Sequence, residues 1–178
     1  MRITSGKFRN RLIGSPSGDN VRPTTDRTRQ ALFNRLQSRV NLDGASVLDL
    51  FCGSGAVGLE ALSRGAESAV FVDSDRRSLQ LAESNAKSLD VKNNVSFVRV
   101  DVLEYLTRAD RHFDLVFADP PYAYNEYDDL IEKALGVTSP DGYLVVEHDS
   151  SEAFDVHPSF VVSGNYGRTS LTFFMPSR

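Results

Sequence analysis

The stretch Val47 to Glu60, VLDLFCGSGAVGLE, constrains the fold more than any other part of the chain. An apolar run containing one acid leads into a turn with three glycines, Gly53, Gly55 and Gly58, and then into residues able to open a helix. The spacing fits G-x-G-x-x-G, in which missing side chains let the backbone bend sharply and approach a ligand closely. A dehydrogenase, a nucleotide-binding module and a class I methyltransferase can all present such a loop. The turn therefore marks a cofactor site without choosing the chemistry.

From residue 46 onward the chain alternates short strand and helix patterns, the signature of a parallel sheet covered on both faces. A strand at 46–51 leads to a helix at about 56–64, and SAVFVD is a second strand ending at Asp73. RRSLQLAESNAKSLD follows as a helix with Leu79, Ala82, Ala86 and Leu89 on one side. VSFVRV, the helix VLEYLTRA, the strand FDLVFADPP, a helix from Tyr127 to Leu135 and the strand GYLVVEH continue the series. FVVSG and SLTFFM, joined through NYGRT, read as an antiparallel pair, so one strand of a seven-stranded, mostly parallel α/β sheet is reversed. Upstream, DRTRQALFNRLQSRV places Leu32, Phe33, Leu36 and Val40 at helical spacing, with Thr25 or Asp26 as cap and the arginines on the other faces.

With 178 residues, 40% of them hydrophobic, the chain suits one domain with a single core. The predicted division is a basic hairpin extension at 1–20 and a main domain at 21–178. Cys52 alone cannot build a disulfide framework, and His112, His148 and His157 show no ligand spacing, so no metal is expected. The apolar runs are too short for a signal peptide or a membrane span, which gives a cytoplasmic expectation.

Charge is informative in its distribution. The net charge is −4, yet residues 1–40 hold nine Lys or Arg against two acids. Arg2, Lys7, Arg9, Arg11 and Arg22 belong to this basic front, and guanidinium groups suit bidentate phosphate contact. A polyanionic partner and an ordinary solvated basic face both account for it.

Asp49, Asp73, Asp101 and Asp119 all fall in, or at the C-terminal end of, a predicted strand, on the edge where open α/β sheets bind ligands. Asp73 lies 20 residues after Gly53, the position from which a carboxylate accepts ribose hydroxyls. Asp101, with the backbone of Val102, can hold an adenine edge or simply cap the following helix. In Asp119-Pro120-Pro121-Tyr122 the prolines fix the Asp119 carboxylate and the Pro120 carbonyl as the chain leaves its strand. Two such acceptors can grip both hydrogens of an exocyclic amine while Tyr122 offers a face to a planar ring. A plain turn also uses Asp-Pro-Pro.

Taken together, the glycine loop, the strand-end acids and Asp-Pro-Pro-Tyr resemble a class I S-adenosylmethionine methyltransferase acting on an amino nitrogen. More narrowly, RPTTDRTRQALFNRL, VLDLFCGSGAVGLEALSRGA, FADPPY and YGRTSLTFF resemble the RsmD family, which methylates a guanine N2 of 16S ribosomal RNA. The resemblance covers nearly the whole chain. It implies the Rossmann-like methyltransferase fold, S-adenosylmethionine as cofactor, and rRNA or the small ribosomal subunit as partner, with a monomer expected. It further implies that Asp49, Gly53 and Gly55, with Phe51 in the same set, surround the methionine end of the cofactor. Asp73 takes the ribose, Ser74 adds a backbone contact, and Asp101 with Val102 takes the adenine. Asp119 and Pro120 hold the amine, Pro121 completes the rigid turn, Tyr122 stacks on the base, and Arg22 faces the site or the RNA. Cys52 stands where the family often has alanine. Rival readings are a DNA-adenine or protein-glutamine methyltransferase, a hydride-transferring dehydrogenase, and a non-catalytic RNA-binding module.

Overall fold

Apolar, largely β-branched or aromatic runs become the strands and the amphipathic stretches between them become the helices. The computed structural model describes residues 1–16, 26–91 and 93–177. The elements are α1 (Asp26–Leu36), β1 (Ser46–Leu50), α2 (Ala56–Ser63), β2 (Ser68–Asp73), α3 (Arg76–Ser88) and β3 (Val95–Arg99). They continue with α4 (Val102–Arg108), β4 (Phe113–Ala118), α5 (Tyr127–Gly136), β5 (Thr138–Asp149), β6 (Phe160–Tyr166) and β7 (Thr169–Phe174).

The seven strands form one sheet in the order β3-β2-β1-β4-β5-β7-β6. Pairing is parallel from β3 to β5, and β7 runs antiparallel to both β5 and β6. β7 is thus the one reversed strand, as the sequence pattern predicts. The strand order changes direction between β1 and β4, and such a switch point opens a crevice beyond the carboxyl ends of the strands.

Side-chain alternation along each strand divides the core in two. Val47, Phe71, Phe117, Val145 and Phe173 pack toward Leu32, Phe33, Leu36, Leu59 and Ala82. Leu48, Leu50, Val72, Val116, Val146 and Phe174 pack toward Leu106, Leu130 and Ile131. Continued to the strand ends, the first face carries Asp49, Asp73, Asp119 and Glu147. A single sheet face therefore changes from hydrocarbon to carboxylate as it reaches the crevice.

Three features depart from the sequence expectation. Arg29 of α1 does not take a solvent face; it is 0% exposed and its Nε lies 3.4 Å from Glu60 Oε2, also fully buried. Glu60 further accepts from Thr4 N–H at 2.8 Å, Thr4 O–H at 2.6 Å, Ser5 N–H at 3.0 Å and Arg64 Nε–H at 2.9 Å. A buried charge this well partnered is expensive to orphan, at about 3–5 kcal/mol.

The same contacts change the picture of the N-terminal segment. It closes antiparallel through a single Arg2–Leu12 bridge, and Ile3 and Ile13 are buried. Lys7 N–H donates to Ser63 O at 2.8 Å, and Phe8 N–H to Ser63 Oγ at 2.9 Å. The body of the segment is therefore docked on α2 rather than standing off as an exposed hairpin, with the side chains of Arg2, Lys7, Arg9 and Arg11 left at the surface. Third, β5 begins at Thr138, before Gly142, because a register shift between Phe113 and Leu115 lets the two chains stay paired. A Cβ on Gly142 would lie 2.9 Å from Asp114 O, so only glycine admits that approach.

Arg22 and Thr25 lie outside the described residues. Among the described residues, no helix is long and apolar enough to cross a membrane.

Candidate active site

The crevice at the switch point is a cavity of about 680 Å³. Its donor side is built by β1, β2 and the glycine turn. Phe51 adopts φ 54°, Gly53 φ 53° and Gly55 φ 72°, so three left-handed residues reverse the chain between β1 and α2. For Phe51 such a conformation is costly, and strain of this kind is held where the surrounding structure fixes it. Gly53 N–H donates to Asp73 Oδ2 at 3.0 Å, and Asp75 N–H to Asp73 Oδ1 at 2.8 Å. Both carboxylate oxygens of Asp73 are thereby aimed, with lone pairs left for a ligand.

Asp49 sits deeper. It is 1% exposed and accepts Gly58 N–H at 2.9 Å. Burial pushes its carboxyl up to about 8, and the nearby charges of Asp119 and Asp73 push the same way, against the lowering effect of the Gly58 hydrogen bond. Gly58 is needed for packing: an added Cβ would lie 2.4 Å from Phe71 Cε1.

Asp101 caps α4, its Oδ1 accepting Leu103 N–H at 2.9 Å and Glu104 N–H at 3.1 Å. It lines the cavity as well, so the cap geometry and the cavity position coexist. Ser74 also lines it. Gly55 and Val102 do not: Gly55 is the left-handed N-cap of α2 facing Ala82 and Phe71, and Val102 is buried in the core beneath α4.

The acceptor side begins at the end of β4. Asp119, Pro120, Pro121 and Tyr122 all open onto the same cavity, and Tyr124 N–H donates to Pro121 O at 2.9 Å to close the turn. Tyr122 is 72% exposed at the rim; its hydroxyl donates to Asp149 Oδ2 and accepts from Arg168 Nη2 at 3.1 Å. That hydroxyl, the Ser151 donors and the Arg168 charge draw the Asp149 carboxyl down to about 2.

Edge-on contacts stiffen the floor between the two sides, with Phe51–Tyr124 centroids at 5.5 Å and Tyr124–Tyr127 at 5.4 Å. Burial and neighbouring acids raise both phenols to about 12. Tyr124 Oη is buried and has no hydrogen-bond partner within the protein, which leaves a donor for a ligand. A cavity of this size, with aimed acceptors, one orphaned hydroxyl and an acid-rich wall, fits a polar, positively charged cofactor such as S-adenosylmethionine. Among the described residues no group of three His, Cys, Asp or Glu is placed to hold a metal ion.

The family model described as "Conserved hypothetical protein 95" matches residues 1–175. The chain belongs to this family. It is 37% identical over 147 residues to ribosomal RNA small subunit methyltransferase D of Escherichia coli, covering 83% of this chain and 71% of that one. The solved structure of hypothetical protein TTHA0928 of Thermus thermophilus superposes with a TM-score of 0.85 at 29% identity, covering 98% and 99% of the two chains. SMU.776, a "putative methyltransferase complexed with SAH", shares the fold at TM-score 0.67 and 18% identity, over 82% of this chain and 48% of that one. The RsmD resemblance read from the motifs agrees with the family match and with the E. coli relative, and the architecture is that of class I methyltransferases.

For this member of the conserved hypothetical protein 95 family, the site also contains residues that the motifs did not flag. Glu147, His148 and Asp149 at the end of β5, Thr169 at the start of β7, and Tyr124 and Tyr127 all line the cavity. The β5 group was detectable, since Glu147-His148-Asp149 ends a strand as Asp73 and Asp119 do. His148 is a fixed support. Burial lowers its ionisation, its Nδ1 lies 2.8 Å from Asp149 O and its Nε2 2.7 Å from Thr172 Oγ1. A carbonyl can only accept, so Nδ1 carries a proton toward Asp149 O, and the Thr172 hydroxyl beside Nε2 donates onward to Ser163 Oγ at 2.9 Å. Arg2, Lys7, Arg9 and Arg11 are absent from the cavity wall.

Proposed function

We propose that the protein transfers a methyl group from S-adenosylmethionine to the exocyclic N2 amine of a guanine in 16S rRNA. Family membership and the fold make it an S-adenosylmethionine-dependent rRNA methyltransferase; the guanine N2 position is the further step. The observation that carries it is that Asp119-Pro120-Pro121-Tyr122 opens onto the same cavity as Asp49, Gly53 and Asp73, across the β1/β4 switch point.

When bound, the cofactor supplies a methyl carbon already activated on a positively charged sulfur. The protein's part is alignment and exclusion of water. Asp73 would hold the ribose hydroxyls, Asp101 and Tyr124 would face the adenine, and the Phe51–Gly53 turn would close over the methionine end. A guanine amine is a poor nucleophile because its lone pair is delocalised into the ring. Asp119 and the Pro120 carbonyl accept its two hydrogens, which favours a pyramidal nitrogen and stabilises the positive charge that develops there. The proton then leaves to Asp119 or to water, so no separate strong base is needed. Tyr122 lies at the rim, where an extruded base enters and stacks. Arg2, Lys7, Arg9 and Arg11 lie on the surface beyond the cavity and contact the RNA backbone. The enzyme works as a cytoplasmic monomer on rRNA or on the assembling small subunit.

The test is labelled-methyl transfer from S-adenosylmethionine to naked 16S rRNA, small subunits, DNA and protein, with the product nucleoside identified by mass spectrometry. N2-methylguanosine in the RNA is expected. Label in DNA adenine or protein glutamine would overturn the reading in favour of those substrates. Asp119→Ala should reduce transfer by at least about 100-fold with cofactor affinity unchanged, the scale of losing one transition-state hydrogen-bond partner.

A further inference from the structure

Gripping an exocyclic amine does not by itself identify the base. Adenine N6 and cytosine N4 also offer two hydrogens, and Asp119 with Pro120 can hold either. What distinguishes guanine is the next position along its Watson–Crick edge. There N1–H is a donor, whereas adenine N1 and cytosine N3 are acceptors. Beyond it lies O6, an acceptor. A guanine-selective site therefore needs an acceptor, a second acceptor and then a donor, in that order.

β4, β5 and β7 present that order side by side. Ala118 pairs with Val146 in the parallel β4–β5 register, so Asp119 and Glu147 follow at the same level on adjacent strands. Both continue the face of Phe117 and Val145. On the next strand Thr169, paired with Asp149, lies on the face of Leu171 and Phe173. Asp119, Glu147 and Thr169 all line the one cavity. Glu147 is 9% exposed, so its carboxylate meets a ligand with little water to screen an unfavourable partner. Asp149, the other β5 acid, holds the Tyr122 hydroxyl and Ser151 N–H and O–H at 2.9 and 2.7 Å and lies two residues further along, so Glu147 is the β5 acid level with Asp119.

We propose that Glu147 is the residue that selects guanine: its carboxylate accepts N1–H while Asp119 holds the N2 amine and the Thr169 hydroxyl donates to O6. The inference rests on the guanine reading above. Adenine or cytosine placed with its amine at Asp119 sets a ring-nitrogen lone pair against the Glu147 carboxylate and is rejected. Glu147→Gln keeps the shape and supplies an amide able to donate to adenine N1, so it weakens selectivity without emptying the site.

The experiment uses small subunits reconstituted with 16S rRNA carrying guanine, adenine or 1-methylguanine at the nucleotide that the wild-type enzyme modifies. For Glu147→Gln, kcat/KM on guanine should fall about 10- to 100-fold, the scale of one charged hydrogen bond. The guanine-to-adenine ratio should narrow, while affinity for S-adenosylmethionine stays within about twofold. A structural role alone would lower all activities together and leave the ratio unmoved, which overturns the inference. The 1-methylguanine substrate tests the same contact without any variant, since it lacks the N1 donor. Wild-type enzyme methylating it as fast as guanine overturns the assignment even if Glu147→Gln does not fold. Wild-type enzyme with no activity on any guanine RNA defeats the guanine reading itself, and this inference with it.

Discussion

Asp49 offers the sharpest quantitative test of the site. Its carboxyl titrates at about 8 in the folded chain against a reference value of 3.8. Between those values the folded state keeps a proton that the unfolded state has lost, so this group's contribution to stability falls as pH rises. The slope approaches 1.4 kcal/mol per pH unit for one proton. Asp49→Asn removes the titration while keeping an oxygen that can accept Gly58 N–H. Urea unfolding of wild type and variant from pH 5 to pH 8 should therefore show the variant gaining, relative to wild type, about 3 kcal/mol between pH 5 and pH 7. Other carboxylates shift both proteins alike and drop out of the difference. Because a cationic cofactor favours the ionised form, wild type should also release close to one proton on binding S-adenosylmethionine at pH 7. Calorimetry in buffers of different ionisation enthalpy reads that release, and Asp49→Asn should abolish it. A stability difference that stays flat from pH 5 to pH 7 would refute the reasoning, because it would mean that Asp49 is charged in the folded protein.

Three further outcomes are expected. Gly58→Ala, normally favourable inside a helix, should instead destabilise by about 1–3 kcal/mol because its Cβ meets Phe71, which is itself stacked on Phe97 at 4.9 Å; thermal unfolding gives the sign. Arg29→Met should cost about 3 kcal/mol in urea unfolding, the lower end for a broken buried pair, because Arg64 and the Thr4 and Ser5 donors remain on Glu60. Charge reversal at Arg9 and Arg11 together should weaken 16S rRNA binding and reduce its salt dependence by about one to two units of log–log slope, measured by filter binding from low to moderate salt. Unchanged affinity would make the basic front an ordinary solvated face.

The parts of this protein that the sequence makes legible are those governed by local rules. Strand alternation, the glycine spacing and the acids closing β2 and β4 each involve residues a few positions apart, and they point to the sheet and to ten of the 25 residues that line the cavity. Arg29 escaped because its partner is 31 residues away. An arginine on an amphipathic helix reads as solvent-facing until α2 is seen to bring Glu60 beneath it. The docking of residues 1–16 escaped for the same reason, since its hydrogen bonds reach 55 or more positions along the chain. Thr169 is invisible from sequence because its place depends on β7 inserting between β5 and β6. Gly55 and Val102 carry a second duty that the motif does not reveal: Gly55 caps α2, and the Val102 side chain packs into the core, its backbone being the part assigned to the adenine.

The reversal of strand order between β1 and β4 has a consequence for how such enzymes diversify. The donor half of the cavity, apart from its aromatic floor, is drawn from residues up to 101 and the acceptor half from residues 119–169, so the boundary in space is also a boundary in the chain. A chimaera that exchanged the segment after β4 for that of a relative with another target would inherit the glycine turn and Asp73 intact. It would meet the incoming strands through the β4–β5 ladder, which is held by backbone hydrogen bonds and needs a glycine at the position of Gly142. Substrate choice can thus be exchanged by a single crossover, while the methyl donor stays the same.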